Sequence, residues 1–329
     1  MFAFDTPFRR RTILGGAAGA LAAPAMAQPA WPARAIRLLV GYPAGGANDL
    51  VMRAIAAPLA EALGQPITVE NRTGAAGSIA ADAAAKSPPD GYTLYSMSSA
   101  QVLAPSVRRN LGWDPVRDFT PIVLGARSPY FLLVHRSFPA QTVAEFVTTV
   151  KARPPRSVSY ASSGVGAGPH LTTSLFMTTA GIALEHVPYR GDADALVDMT
   201  AGRVPCAFLS VAPSLPHVQA GTLRALAVSG AERLSVLPDV PTVAESGYPG
   251  FRMDAWWSIA GPAGLPAAIV QRVAMAARPI LDAPDFAARF ASIGVVPGKE
   301  GPEELARLIR TDRVRFEEIV RAAGIQPED

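Results

Sequence analysis

The 329-residue chain has one cysteine, four histidines and almost no net charge, and each shortage removes a class of function. A single thiol, Cys206, cannot form an internal disulfide, so stability rests on packing, and the run Cys206-Ala207-Phe208-Leu209 reads as a buried strand. His135, His170, His186 and His217 stand far apart, with no H-x-x-x-H, H-E-x-x-H or C-x-x-C spacing, so no metal site is expected. The G-x-S-x-G elbow, the Walker pattern and the G-x-G-x-x-G fingerprint are all missing, and no cofactor is implied. A serine hydrolase would have to be built from Ser162 or Ser163 and a histidine without motif support. Basic and acidic side chains number 30 and 27, or 27 and 26 without residues 1–27, a balance too even for a nucleic-acid surface. Beyond the N-terminus no segment offers the roughly 18 uninterrupted apolar residues that a spanning helix needs.

The first 27 residues are an export signal. Phe8-Arg9-Arg10-Arg11-Thr12 is a positive n-region, residues 13–23 are a short apolar stretch rich in Gly and Ala, and Ala25-Met26-Ala27 is an A-x-A cleavage site. Arg10-Arg11-Thr12-Ile13-Leu14 also resembles a twin-arginine signal, so both the general secretory and the twin-arginine routes fit.

From Gln28 onward, strand-like and helix-like runs alternate with short connections, the pattern of an α/β protein with mainly parallel sheets. Ile36, Leu38 and Val40 share one face at period two, and the apolar residues from Leu50 to Leu63 recur at helical spacing. Between them lies Gly41-Tyr42-Pro43-Ala44-Gly45-Gly46-Ala47-Asn48-Asp49, with Asn48 or Asp49 as the expected N-cap. Adjacent glycines leave backbone amides uncovered beside a helix N-terminus, which favours an anion; we read this loop as a carboxylate seat. A strand over 67–70, a helix over 78–86 and a strand over 92–96 follow, the last running into a polar loop Ser98-Ser99-Ala100-Gln101 that could face the same site. Residues 119–124 and 130–134 read as two strands separated by a turn. The strand 158–161, the loop Ser162-Ser163-Gly164-Val165-Gly166-Ala167-Gly168-Pro169-His170 and a helix to Ala180 repeat the first unit's chemistry. Either glycine loop alone is also explained as an ordinary turn. Strands over 184–187, 207–210 and 223–228 follow, with a helix over 193–201 after the first. The C-terminal part carries helices over 267–281, 284–292 and 303–323.

Several ordered motifs resemble one family. Tyr42-Pro43-Ala44-Gly45-Gly46-Ala47-Asn48-Asp49, Val69-Glu70-Asn71-Arg72-Thr73-Gly74-Ala75-Ala76-Gly77, Pro89-Asp90-Gly91-Tyr92-Thr93-Leu94, Trp113-Asp114-Pro115-Val116-Arg117-Asp118-Phe119, Val187-Pro188-Tyr189-Arg190-Gly191 and Leu237-Pro238-Asp239-Val240-Pro241-Thr242 are similar to those of the Bug-type periplasmic solute-binding proteins of tripartite tricarboxylate transporters. The resemblance implies a two-lobed periplasmic binding protein, a Venus flytrap of type II-like form whose lobes are mainly parallel sheets flanked by helices. Lobe 1 would comprise 28–126 and 229–329, and lobe 2 would comprise 127–228. It further implies a monomer that takes a small organic acid and hands it to integral membrane permease subunits, with no reaction catalysed; a periplasmic sensor for a membrane receptor is the neighbouring reading. Carried over by residue, the ligand falls to Tyr42, Gly45, Gly46, Asn48 and Asp49, with Ser98 and Ser99 nearby, and to Ser163, Gly164, His170, Tyr189 and Arg190 of the second lobe. Asp49 is expected to hold a water or the helix. Gln101, Arg190 and Asp192 are expected to decide which acid is taken, because the acidic Asp192 stands where similar proteins have a small residue, as Ala104 stands for their asparagine.

Overall fold

In the computed structural model, residues 1–3, 31–42, 44–322 and 324–327 are described. From residue 4 onward the export signal lies outside the described residues, as does Pro43.

Three strand and helix pairs open the fold. They are β1 (Ile36–Val40) with α1 (Ala47–Leu63), β2 (Ile67–Asn71) with α2 (Ser78–Ala85), and β3 (Thr93–Ser98) with α3 (Ser99–Val107). The strands β2 and β3 flank β1 in parallel. The chain then runs through the 17-residue strand β4 (Phe119–His135) into a second alternating set. That set is α4 (Val143–Lys151), β5 (Ser159–Ser162), α5 (Gly168–Ala180), β6 (Glu185–Pro188), α6 (Asp192–Thr200), β7 (Cys206–Ser210), α7 (Val211–Gln219) and β8 (Leu223–Val228). Here β5 pairs in parallel with both β6 and β7. The chain closes with β9 (Asp254–Pro262), α8 (Ala267–Asp282), α9 (Pro284–Ala291), β10 (Val296–Pro297) and α10 (Pro302–Ala322).

The α/β class follows from the sequence, but β4 is one strand where a turn was expected. The expected turn at 125–129 is instead strand, with Ala126 opposite Trp257 and Pro129 opposite Asp254. Register shifts between Pro121 and Val123 and between Leu124 and Ala126 absorb the residues that look like breakers. Strand order is β2-β1-β3-β9-β4-β7-β5-β6, so β4 joins the two parallel sets through antiparallel partners. The strand β9 and helix α7 were not expected.

Two further local expectations are corrected. The residues Ser98 to Gln101 are not a loop, because the Ser98 amide and hydroxyl both donate to Gln101 Oε1, at 3.0 and 2.7 Å, and start α3 there. The cap of α1 is Gly46 rather than Asn48 or Asp49. Gly45, at φ +83°, turns the chain, and Asp49 reaches back to accept its amide at 2.9 Å.

Buried apolar side chains form three clusters: one covers one face of the first strand set, one runs from its other face into the second set through β4, α4, α5 and β7, and the third fills the space around β7, α6 and α7. Helix α10 packs against α3, β4 and α5, and so touches elements of both sets. Cys206 is buried as expected, its thiol donating to the Ser159 carbonyl at 3.3 Å, and burial pushes its pKa up.

Candidate functional site

Where α1 and α5 begin, they enclose a cavity of about 540 Å³. Its wall takes Tyr42, Gly46, Ala47 and Asn48 from the start of α1, Ser98 and one face of α3, and Val165 to Gly168 from the loop before α5. Tyr130, Leu171, Met253 to Ala255, Trp257, Phe316 and residues 325–326 complete it.

At the α1 end one polar atom is left over. Asn48 is buried, and its Oδ1 accepts from the Ser96 hydroxyl at 2.6 Å, while Nδ2 has no partner among the described residues. Burying such a donor unsatisfied costs about 1–3 kcal/mol, so an acceptor arriving in the cavity gains what folding left unspent. The first-turn amides of α1 and the helix dipole favour an anion at the same place. Asp49 does not compete for it. Its carboxylate takes the Gly45 amide, Arg53 Nε at 2.9 Å and Asn71 Nδ2 at 2.8 Å. Burial pushes this carboxyl up, but the bonds from Arg53, Gly45 and Asn71 and the Arg53 charge outweigh it and hold the pKa below its ordinary value. Asn71 Nδ2 also donates to the Tyr42 carbonyl at 2.9 Å, which pins the loop from below.

The α5 end is held by aromatic and imidazole stacking. Gly166 donates its amide to His170 Nδ1 at 3.0 Å, and His170 stacks on His186 at 4.1 Å. His186 in turn stacks on Tyr160 at 4.9 Å, and its Nε2 lies 2.7 Å from the Ser162 hydroxyl. Burial, with His186 as a second cause, pushes His170 down to about 4. Because Nδ1 must stay an acceptor, protonation aims an N–H at the Gly166 N–H. A depressed base stabilises the fold fully above its ordinary 6.5, and that contribution erodes as pH falls from there to about 4. The melting temperature is therefore expected to drop through this window, and less steeply in His170→Gln, which keeps an acceptor; equal slopes would contradict the assignment.

Residues 51–325 match the family described as the tripartite tricarboxylate transporter family receptor. The chain belongs to that family. Among relatives of this receptor, the protein BugT of Bordetella pertussis is 33% identical over 310 residues, covering 94% of each chain. An R. palustris protein solved with adipate is 36% identical, with a TM-score of 0.75 over 91% of this chain and 100% of its own. MatC from Rhodopseudomonas palustris with bound malate is 31% identical, with a TM-score of 0.70 over 88% and 100%. No helix among the described residues is long and apolar enough to cross a membrane.

Of the residues expected at the receptor's site, Tyr42, Gly46, Asn48, Ser98 and Ser99 line the cavity. The others are off its wall, and most have structural work. Gly45 spends its amide on Asp49, and Gln101 is buried as the capping-box partner of Ser98 at the start of α3. His170 and Gly164 shape the loop before α5, and Ser163 lies beside them, half-buried. Tyr189 donates its hydroxyl to Asp198 at 2.7 Å, and Arg190 is exposed. Asp192 opens α6 and accepts the Ser210 amide at 3.1 Å, tying that helix to β7. Arg190 and Asp192, expected to decide which acid is taken, thus lie off the wall of this cavity.

Tyr130, Asp254 and Arg108 line the receptor's cavity and were not foreseen. The first two meet because Pro129 pairs with Asp254 across β4 and β9, a contact between segments over a hundred residues apart that no local pattern announces. Arg108 was within reach of the sequence. Once Ser98 and Gln101 are read as a capping box, helical spacing carries the same face on to Val107 and Arg108.

Proposed function

We propose that this chain is a periplasmic, monomeric solute-binding protein that captures a small organic carboxylate in the cavity and delivers it to tripartite tricarboxylate-type permease subunits. The observation that carries this reading is the buried, unpartnered Asn48 Nδ2 at the N-terminus of α1, opposite the loop that starts α5. Adipate and malate in the related structures support the ligand class. The sequence-derived lobes, 28–126 with 229–329 and 127–228, would close on the acid about the two crossings near β4 and β8. Closure follows only if the acid binds the closed form more tightly than the open one.

A hydrolase has one observation in its favour, the 2.7 Å approach of Ser162 to His186. Ser162 is fully buried and off the cavity wall, and no carboxylate hydrogen-bonds His186 among the described residues, so binding without bond breaking fits better. A thermal-shift screen over mono-, di- and aromatic carboxylates tests the reading. An acid at a hundred times its Kd stabilises the folded state by about 2.7 kcal/mol, a clear rise in melting temperature. A broad panel without any shift would remove the reading.

A further inference from the structure

Helix α10 ends in a cap that brings one apolar residue to the cavity. The Gly324 amide donates to the Arg321 carbonyl and the Ile325 amide to the Val320 carbonyl, both at 3.1 Å, the paired bonds of a glycine-ended helix. Gly324 supplies the left-handed turn at φ +66°. A Cβ there would meet nothing within 4 Å, so it is the backbone angle, not space, that calls for glycine. Beyond the turn, Ile325 packs on the apolar cluster that contains Phe316 and Val320, and with Phe316 it lines the cavity.

The cavity wall divides in two. Tyr42 and Trp257 pack on the cluster beneath α1, on the side of the carboxylate seat. Leu103, Val107, Leu171, Phe316 and Ile325 belong to or pack on the other cluster and give the wall an apolar block. Leu103, Leu171 and Phe316 are also core side chains, whereas Ile325 is half-buried and held by the cap. It is therefore a member of the block that can change with little effect on the fold.

Resting on the carboxylate reading above, we propose that Ile325, placed by the Gly324 cap, is a specificity-determining residue that contacts the hydrocarbon body of the bound acid. The seat at α1 takes the carboxylate alike from every acid. Apolar contact with the block then adds affinity for each methylene withdrawn from water, so the length of the body decides the preference.

Calorimetric titration of the mature chain with straight-chain monocarboxylates from butanoate to octanoate tests this. Wild-type affinity should rise about fourfold for each methylene that reaches the block. Ile325→Ala should weaken octanoate about tenfold and leave butanoate within about twofold, and Ile325→Val should show a smaller loss of the same kind. Gly324→Val, which strains the cap and displaces Ile325, should reproduce the alanine profile, whereas Gly324→Asn, which tolerates the left-handed angle, should bind like the wild type. Melting temperatures of the free variants report whether each is folded. Equal affinity along the series in the wild type, an unchanged or raised octanoate affinity in folded Ile325→Ala, or a parallel loss for both acids overturns the proposal while leaving the carboxylate reading intact. So does a wild type that binds other acids of the wider panel but no monocarboxylate of this series. If the wild type binds no acid of that panel, the carboxylate reading falls and this proposal with it.

Discussion

Asn48→Asp is expected to weaken carboxylate binding by about a hundredfold or more and to lower the melting temperature of the free protein. The substitution is close to isosteric and keeps an oxygen to accept from the Ser96 hydroxyl, so the buried bond at 2.6 Å survives. What changes is the other side-chain atom, where a buried donor without a partner among the described residues becomes an anionic oxygen. A hydrogen bond to a charged group contributes about 1.5–3 kcal/mol, and like-charge repulsion adds to its loss; every 1.4 kcal/mol is about tenfold in affinity. The helix dipole favours a carboxylate in the first turn, but position 48 is buried, so the free variant should fold with a lowered melting temperature. Calorimetry with the strongest acid from the screen checks the binding, and a melting curve of the free variant checks the fold. A variant that binds normally would show that the acid is seated elsewhere.

Gly168→Ala is expected to damage both stability and binding. A Cβ at Gly168 would stand 2.0 Å from the Tyr130 hydroxyl oxygen and 2.8 Å from Cζ. Tyr130 is buried on the central strand β4 and borders the cavity, so relief of the clash displaces either its ring into the cavity or the start of α5. Overpacking of this kind costs about 1–3 kcal/mol, occasionally more, and outweighs the gain of about 1 kcal/mol that alanine brings to a helix. The start of α5 should shift, carrying the cavity wall at Gly166 and Ala167 with it. Urea unfolding should give a lower midpoint at an unchanged slope. Adding Tyr130→Phe removes the 2.0 Å contact but not the 2.8 Å one, so stability should recover in part. An unshifted midpoint in the single variant would contradict this account of why position 168 lacks a side chain.

The parts of the molecule legible in the sequence are those whose signals are local. Alternating runs gave β1, β2 and β3. The glycine loop before α1 was legible as an anion seat because helix termini and glycines act over a few residues. Its division of labour was not. Asn48 and Asp49 look equivalent as candidates, yet Arg53 and Asn71 claim Asp49 and leave Asn48 facing the cavity. Gly125 and Pro129 suggested a turn in β4 because the period-two pattern falters there. Pairing with β9 overrides it, and the space at Gly125 is filled by Ile55 and Met52, within about 3 Å of where a Cβ would stand. Asp192 drew attention as an unusual acidic residue; one of its oxygens accepts the Ser210 amide, and the other is buried without a partner among the described residues.

The central claim is that one carboxylate is seated where α1 begins, with Asn48 Nδ2 as a donor. A crystal structure of the mature chain with the acid that gives the largest thermal shift tests it most directly. The account predicts a carboxylate oxygen within hydrogen-bonding distance of Asn48 Nδ2, beside the first-turn amides of α1. A well-ordered acid bound elsewhere, with Asn48 Nδ2 still unpartnered, would contradict it.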